Sequence, residues 1–140
     1  MGARRKAREL ALQMLYENDV SGTAAEEMFR RSEDLQKAPQ SLRDFTRRLV
    51  SGTLEHRDVL DAMISKQADH WRLVRMPVVD RNILRLALFE LLHEPATPRP
   101  VVIDEALEIA KRFSTPRSSQ FINGILDGVL KSKTGEGPRA

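Results

Sequence analysis

The stretch PVVDRNILRLALFELLH, residues Pro77–His93, decides the fold of this chain. Between Ile83 and Leu92 only Arg85 and Glu90 are polar, and the apolar side chains recur at three- and four-residue steps. Side chains spaced in this way point nearly all round a helix and leave no face for water. The run is too long for a buried strand and too short to span a bilayer. The pattern therefore predicts a central helix surrounded by other helices.

The composition limits the class of protein. A chain of 140 residues fits one domain that buries about two-thirds of its unfolded surface. It contains no cysteine, which excludes disulfides and thiolate chemistry. No uncharged run reaches the length of a signal peptide or a membrane span, so we expect a cytoplasmic protein without a membrane partner.

Helical periodicity extends along most of the chain, and no segment alternates with the two-residue period of a strand. The apolar stripes predict an all-α fold of about seven helices. Thr23 and Glu26 have the spacing of a capping box, which predicts that the second helix starts at Thr23. Thr115 and Pro116 are predicted to be the N-cap and first residue of the last helix. Residues 133–140 hold two glycines, a proline and no large apolar residue, and we expect a disordered tail there.

Positive charge is concentrated at the start of the chain. The net charge is +3, whereas residues 1–8 alone contain four basic residues and no acid. On the first predicted helix, Arg5, Arg8 and Tyr16 share one flank of the apolar stripe. Such a cluster attracts polyanions such as nucleic acid, although a solvated chain end is an equally good interpretation. Tyr16 lies at the edge of the stripe, where core packing and base stacking are both open.

The start of the last helix is a second candidate site. Arg117, Ser118 and the free backbone amides of that helix end can hold a phosphate. Phe121 lies at the edge of the apolar stripe, from which its ring could stack on a base. The alternative is that Phe121 fills a seam between helices and that Gly124 and Gly128 allow a close helix approach.

No pattern in the sequence indicates catalysis. The histidines His56, His70 and His93 lack the spacing of metal ligands. The sequence has no glycine-rich phosphate loop and no nucleophile elbow. We therefore expect a protein that is not an enzyme and that has neither a metal site nor a cofactor.

Three sequence blocks resemble the signature blocks of the NusB family of bacterial transcription antitermination factors. They are ARRKARELALQMLYE at residues 3–17, VVDRNILRLALFELL at 78–92, and VVIDEALEIAKRFS with SSQFINGILDGVL at 101–114 and 118–130. The blocks follow in the family's order over residues 3–131. The resemblance implies seven helices in two packed bundles, which we expect at about residues 1–68 and 77–132.

The resemblance also implies a function. Family members bind the boxA element of nascent ribosomal RNA as a single strand, together with NusE, a protein shared with the small ribosomal subunit. They act in RNA polymerase complexes with other Nus factors and suppress premature termination. The RNA-binding residues implied here are Arg4, Arg5, Lys6, Arg8, Tyr16, Arg117, Ser118 and Phe121. Arg117 replaces an acidic residue that some members have.

The same resemblance implies a surface for NusE, which is built around the segment leading into the central helix. The residues implied are Trp71, Arg72, Asp80 and Arg81. Trp71 could instead cap the core, and both interpretations stay open. A helical protein-interaction module with a merely solvated basic end remains the alternative function. What distinguishes RNA binding is that an arginine-rich helix face and an aromatic-bearing helix start occur in one chain.

Overall fold

The computed structural model describes residues 2–68 and 73–135, except the side chains of residues 133–135. This part of the chain forms eight α-helices, one short 3-10 helix and no strand, which confirms the all-α fold. The helices are α1 Gly2–Ser21, α2 Ala25–Arg31, α3 Glu33–Lys37, α4 Gln40–Glu55, α5 Arg57–Ala68, α6 Val78–His93, α7 Arg99–Phe113 and α8 Pro116–Gly135, with the 3-10 helix at Leu73–Arg75. The short helix α3 was not predicted; Ser32 caps its start by accepting a hydrogen bond from the Leu35 amide at 3.1 Å.

Helix α6 is the predicted central helix. Every residue from Asn82 to Glu90 is buried, and Leu84 and Leu88 are completely so. The helix packs against α1 and α4 and also against α5, α7 and α8. Helix α5 contacts mainly α6 and α8, so it packs with the helices that follow it in the chain. The core is therefore continuous through α6, which all the longer helices share.

One glycine sets the distance between α4 and α6. A Cβ atom placed on Gly52 would overlap the ring of Phe89, so only glycine allows this approach. The alternative that Gly124 allows a close helix approach is not supported, because nothing lies within 4 Å of its Cβ position. At Gly128 a Cβ atom would meet the side-chain amide of Gln67 on α5.

The start of α8 is as predicted. Thr115 Oγ1 accepts a hydrogen bond from the Ser118 amide at 3.0 Å, and Pro116 is the first helical residue. The end differs, because α8 continues to Gly135 and so includes the first three residues of the expected tail. Residues 136–140 lie outside the described part of the chain.

The capping box predicted at Thr23 is wrong. Helix α2 starts at Ala25, and its N-cap residue Ala24 offers no side-chain hydrogen bond. The carbonyl of Thr23 instead accepts a hydrogen bond from Asn18 Nδ2 at 2.8 Å, which ties it back to the end of α1. Gly22, with φ at 74°, makes the turn between the two helices.

Among the described residues, no helix combines the length and the apolar character that crossing a membrane requires.

Candidate nucleic-acid interface

Two of the four predicted basic residues at the start of α1 project into solvent. The guanidinium of Arg4 is exposed and stacks over the Phe45 ring, 3.9 Å from its centroid. The ammonium group of Lys6 is exposed and lies 3.8 Å from the carboxylate of Asp34, which is also exposed. An exposed pair at this distance is weak. Arg4 and Lys6 therefore present their charges to solvent.

Arg8 lies inside the protein. Its Nε and Nη2 donate hydrogen bonds of 2.9 and 2.6 Å to the two carboxylate oxygens of Glu90 on α6. Arg8 is 5 % exposed and Glu90 is 1 % exposed. A carboxylate buried so deeply requires a cation beside it. The structure therefore places this member of the predicted RNA-binding set in the interior, where its charge is already paired.

Arg5 is at the surface but is also paired. Its Nε and Nη2 donate hydrogen bonds of 2.9 and 2.8 Å to the carboxylate of Glu105 on α7. The hydrogen bond and charge of Arg5 lower the pKa of Glu105, against the opposing effect of burial. The Arg5 side chain keeps 40 % of its surface exposed. Its charge is thus accessible but locally neutralised.

Helices α1 and α7 are bridged again further along. Arg112 Nη1 donates a hydrogen bond of 2.7 Å to Glu9, one turn after Arg5 on α1. Beyond it, Tyr16 and Phe113 line an open groove of about 280 Å³. The other residues of this groove are Leu12, Gln13 and Val79. We call this strip the α1–α7 seam and define it by Arg5, Glu9, Tyr16, Glu105, Arg112 and Phe113.

The two aromatic rings of the seam are half-exposed. Tyr16 is 42 % exposed and Phe113 is 38 % exposed, and the guanidinium of Arg112 lies 5.2 Å from the Phe113 ring. The structure therefore supports the surface interpretation of Tyr16 over the core one. Phe113 was not a sequence candidate, because it is in phase with the inward residues Ala106 and Ala110. It reaches the surface because α7 ends there, at the rim of the core.

The start of α8 adjoins this seam. The carboxylate of Asp80 accepts hydrogen bonds of 2.7 Å from the hydroxyl groups of Ser114 and Ser118. Asp80 is buried. Its two hydrogen bonds join the first turn of α6 to the turn between α7 and α8. The Ser118 hydroxyl that the sequence assigned to RNA donates its hydrogen bond inward.

Arg117 and Phe121 border a second depression next to Asp80. This cleft has a volume of about 360 Å³ and is lined by Met76, Pro77, Asp80, Thr115, Arg117, Ser118 and Phe121. Arg117 is exposed, whereas Phe121 is partly buried and packs against the core. Phe121 thus has the edge position that the periodicity predicted, with part of its ring in the core and part at the cleft.

The two sequence candidates are therefore joined in space. Arg5 and Tyr16 are separated by roughly 17 Å along α1, from the rise of an α-helix. Side chains of α7 accompany α1 over this length, first Glu105 and finally Phe113. From Phe113 the chain passes through Ser114 to the cleft at the start of α8. The basic end, the two half-exposed rings and the cleft therefore follow one another along α1, the end of α7 and the start of α8.

The expected protein-partner residues are only partly described. Trp71 and Arg72 lie outside the described residues. Asp80 is buried. Arg81 Nε donates a hydrogen bond of 2.8 Å to Asp19 at the end of α1, and Arg81 Nη1 donates one of 3.3 Å to the carbonyl of Val74.

Asp19 is the centre of a charge network. Its Oδ2 accepts hydrogen bonds from Arg81 at 2.8 Å, Asn82 at 2.9 Å and Arg85 at 3.0 Å. Burial alone raises the pKa of Asp19, but the hydrogen bonds from Arg81 and Asn82 and the charge of Arg85 lower it well below its usual range. Arg85 also makes two hydrogen bonds to Asp61 on α5, of 2.6 and 3.0 Å. The network joins α1, α5 and α6 at this end of the protein.

No metal site is evident in the part of the chain that the structure describes, where no three histidine or acidic side chains converge. The rings of His56 and His93 do approach, with centroids 4.4 Å apart. Both lie beside Phe89, whose ring stacks on that of His93 with the centroids 4.9 Å apart. The pair is therefore part of the packing at the end of α6.

Comparison with known proteins identifies the family of this fold. The NusB family matches residues 5–131. The transcription antitermination protein NusB of Koribacter versatilis (strain Ellin345) is 45 % identical in an alignment of 139 positions that covers 96 % of this chain and 93 % of that protein. The structure of T. maritima NusB superposes with a TM-score of 0.85 at 38 % identity and covers 91 % of this chain and 90 % of that one. A crystal structure of antitermination factors NusB and NusE in complex with double-stranded RNA gives a TM-score of 0.85 at 26 % identity, over 94 % of this chain and 98 % of that chain. The chain therefore belongs to the NusB family of transcription antitermination proteins.

Proposed function

We propose that this protein acts in antitermination by binding the boxA element of nascent RNA, as a single strand, along the α1–α7 seam and the adjoining cleft. The observation that carries the proposal is the arrangement of exposed cations and rings along these helices. It leads from exposed cations at Arg4 and Lys6, past the half-exposed rings of Tyr16 and Phe113, to Arg117. Alternating charge and aromatic surface is what binds single-stranded nucleic acid.

Some side chains of this surface bind the RNA backbone, and others contact the bases. Arg4, Lys6 and Arg117 have exposed cationic ends that attract phosphates. Tyr16 and Phe113 offer faces on which a splayed base can stack, as single-stranded RNA allows. Beside them, the exposed amide of Gln13 has both a donor and an acceptor for a base edge.

Arg8 and Ser118 support this surface from the interior of the protein. The pair of Arg8 with Glu90 fixes the start of α1 against α6. The hydrogen bond from Ser118 to Asp80 fixes the start of α8 against the same helix. Both residues thereby hold the parts that meet RNA in register, instead of meeting it themselves.

We also propose NusE as the protein partner, which binds next to the Asp19 network. A related NusB is found in a complex with NusE and RNA. Here the side chains of Val20, Val59 and Val74 are exposed. Val20 follows Asp19 in the chain, and the Val74 carbonyl is bound by Arg81. A contiguous apolar patch rimmed by polar groups marks an interaction surface, and we propose that these three valines belong to one. Trp71 and Arg72 remain predicted members of it.

The test is a titration of a labelled, boxA-like single strand of RNA against the protein, with and without NusE, at several salt concentrations. Removal of Arg4 and Lys6 together takes away two phosphate contacts, which should reduce the log–log salt slope by about 1.4. The matched control removes the exposed Arg30 on α2 and the exposed Lys131 near the end of α8. It changes the net charge equally and should leave the slope unchanged.

Two results would contradict the proposal. If Arg4→Ala with Lys6→Ala binds RNA with the slope of the unaltered protein, the seam is not the RNA site. If the protein binds NusE but binds RNA neither alone nor in the complex with NusE, the alternative of a protein-interaction module is correct. A duplex of the same sequence, used as a second ligand, shows whether the single strand is preferred.

A further inference from the structure

The paired state of Arg5 distinguishes it from its neighbours. Arg4 stacks on Phe45 and has no ion pair with any described residue, so the edge of its guanidinium is ready to bind an anion. Lys6 has only a distant, exposed carboxylate beside it. Arg5 already has a bidentate partner in Glu105. The three consecutive cations therefore differ in how far their charges are paired before RNA binds.

The partner of Arg5 occupies the position that a phosphate would take. Glu105 engages Nε and Nη2, the parallel pair of N–H donors that binds carboxylate and phosphate alike. An RNA phosphate can use these two donors only after the carboxylate has released them. Binding of a phosphate to Arg5 thus replaces one anion by another, whereas binding to Arg4 displaces no anion.

The structure also indicates which side of the pair can move. The Glu105 side chain is only 12 % exposed and has a second cation nearby, with Arg8 Nη1 at 3.9 Å. Arg8 itself is held by Glu90. Arg5 extends from the first turns of α1 on a long flexible stem and remains accessible to solvent. When Arg5 moves away, Glu105 stays in place and retains the charge of Arg8.

We propose that Glu105 competes with RNA phosphate for Arg5 and so sets the RNA affinity of the seam below what its basic residues could provide. The proposal deepens the RNA-binding function and rests on it. The chain Arg5–Glu105–Arg8–Glu90 has no net charge, so its only accessible cation is neutralised until RNA displaces the carboxylate.

The test is Glu105→Gln, which keeps the shape of the side chain and removes its charge. A freed arginine adds one phosphate contact, which steepens the log–log salt slope by about 0.7 and tightens binding about fivefold at about 0.1 M salt. The matched control is Glu108→Gln, which removes an exposed carboxylate one turn further along α7. It changes the net charge equally and should have much the smaller effect.

A double-mutant cycle with Arg5→Ala separates competition from a general charge effect. If Glu105 acts through Arg5, Glu105→Gln should change RNA binding very little in the Arg5→Ala background. An equal gain in both backgrounds, an equal gain from Glu108→Gln, or no gain at all would overturn the proposal. If Glu105→Gln does not fold, Glu105→Asp shortens the reach toward Arg5 and should tighten binding in the same direction to a smaller extent.

The cycle also tells failure of this inference from failure of the proposed function. If the unaltered protein binds RNA and Arg4→Ala weakens that binding, the seam is the site and the Glu105 variants test the competition alone. If Arg4→Ala has no effect on RNA binding, the proposed function itself has failed, and the inference fails with it.

Discussion

The carboxylate of Glu90 is buried and receives two hydrogen bonds from one guanidinium, that of Arg8, at 2.9 and 2.6 Å. The two residues are 82 positions apart in the sequence. Both are almost completely excluded from solvent. A buried pair of this kind contributes little as a whole, but the loss of one partner leaves an uncompensated charge in the core.

Arg8→Ala should therefore destabilise the protein by about 3–5 kcal/mol. Lys6→Ala, which removes an exposed cation from the same helix, is the control and should cost under about 0.5 kcal/mol. The measurement is urea unfolding followed by circular dichroism. Replacement of both partners by methionine should recover most of the loss, because no charge is then left unpaired. A single Arg8→Ala variant as stable as the Lys6→Ala control would mean that water reaches Glu90.

Asp19 makes the folding stability of the protein depend on pH in the acid range. Its pKa is lowered in the folded state from an ordinary value of 3.8, so the folded protein binds the proton less readily than the unfolded chain does. Stability from this group is therefore complete above the unfolded pKa and is lost as the pH falls toward the folded one. Asp19→Asn should be less stable at neutral pH and should show a shallower loss of stability between about pH 4 and pH 2.

Thermal melting at a series of pH values measures the Asp19 effect. Asp58→Asn is the control, because this carboxylate is exposed on α5. It should leave the acid limb of the stability curve close to that of the unaltered protein. Equal limbs for Asp19→Asn and the unaltered protein would show that the Asp19 network does not govern acid stability.

The contact of Gly52 with Phe89 predicts the effect of a single methyl group. Gly52→Ala forces the added Cβ into a buried ring and should destabilise the protein by about 1–3 kcal/mol. Gly124→Ala is the matched control on α8, with open space around its Cβ position. It should stabilise by about 0.5–1 kcal/mol, as alanine does in a helix interior. Melting temperatures that move in the same direction in both variants would rule out the close α4–α6 contact.

The sequence predicts the helices well because local spacing determines them. The stretch from Pro77 to His93 has apolar residues on nearly every side of the helix, which predicts burial, and most of this helix is buried in the structure. The start of α8 at Thr115 and Pro116 was equally local and equally correct. The sequence misses α3 because this helix has only five residues and a single buried side chain, Leu35, which leaves no periodicity to detect.

The ionic partners could not be predicted in this way. Arg5 and Arg8 lie on the same flank of α1, less than one turn apart, and nothing in their neighbourhood says which one turns inward. The answer depends on Glu90, which tertiary packing brings under Arg8. The same is true of Arg85, whose partners Asp19 and Asp61 come from two other helices. Charges inside a helical protein are assigned by contacts between distant parts of the chain.

The half-exposed rings of the seam predict a loss of RNA binding without a loss of fold. Tyr16→Ala and Phe113→Ala should each weaken RNA binding by about 1–3 kcal/mol, the contribution of one stacked base. Because each ring is only partly buried, the melting temperature should fall much less than it would for a core ring. Val101→Ala, at an exposed position near the start of α7, is a control for apolar surface away from the groove. RNA affinities equal to that of the Val101→Ala control would remove the groove from the RNA site.

Phe121 distinguishes stacking from packing because it is partly buried and also lines the cleft beside Arg117. Loss of a base stack costs about 1–3 kcal/mol of binding, whereas truncation of a fully buried phenylalanine costs about 3–5 kcal/mol of stability. Phe121→Leu keeps much of the apolar volume and removes the aromatic face, so we expect weaker RNA binding with little change in melting temperature. Arg117→Ala should weaken RNA binding as well and leave the core intact. If Phe121→Leu melts early and yet binds RNA normally while folded, Phe121 is a core residue, and the RNA site ends at the seam.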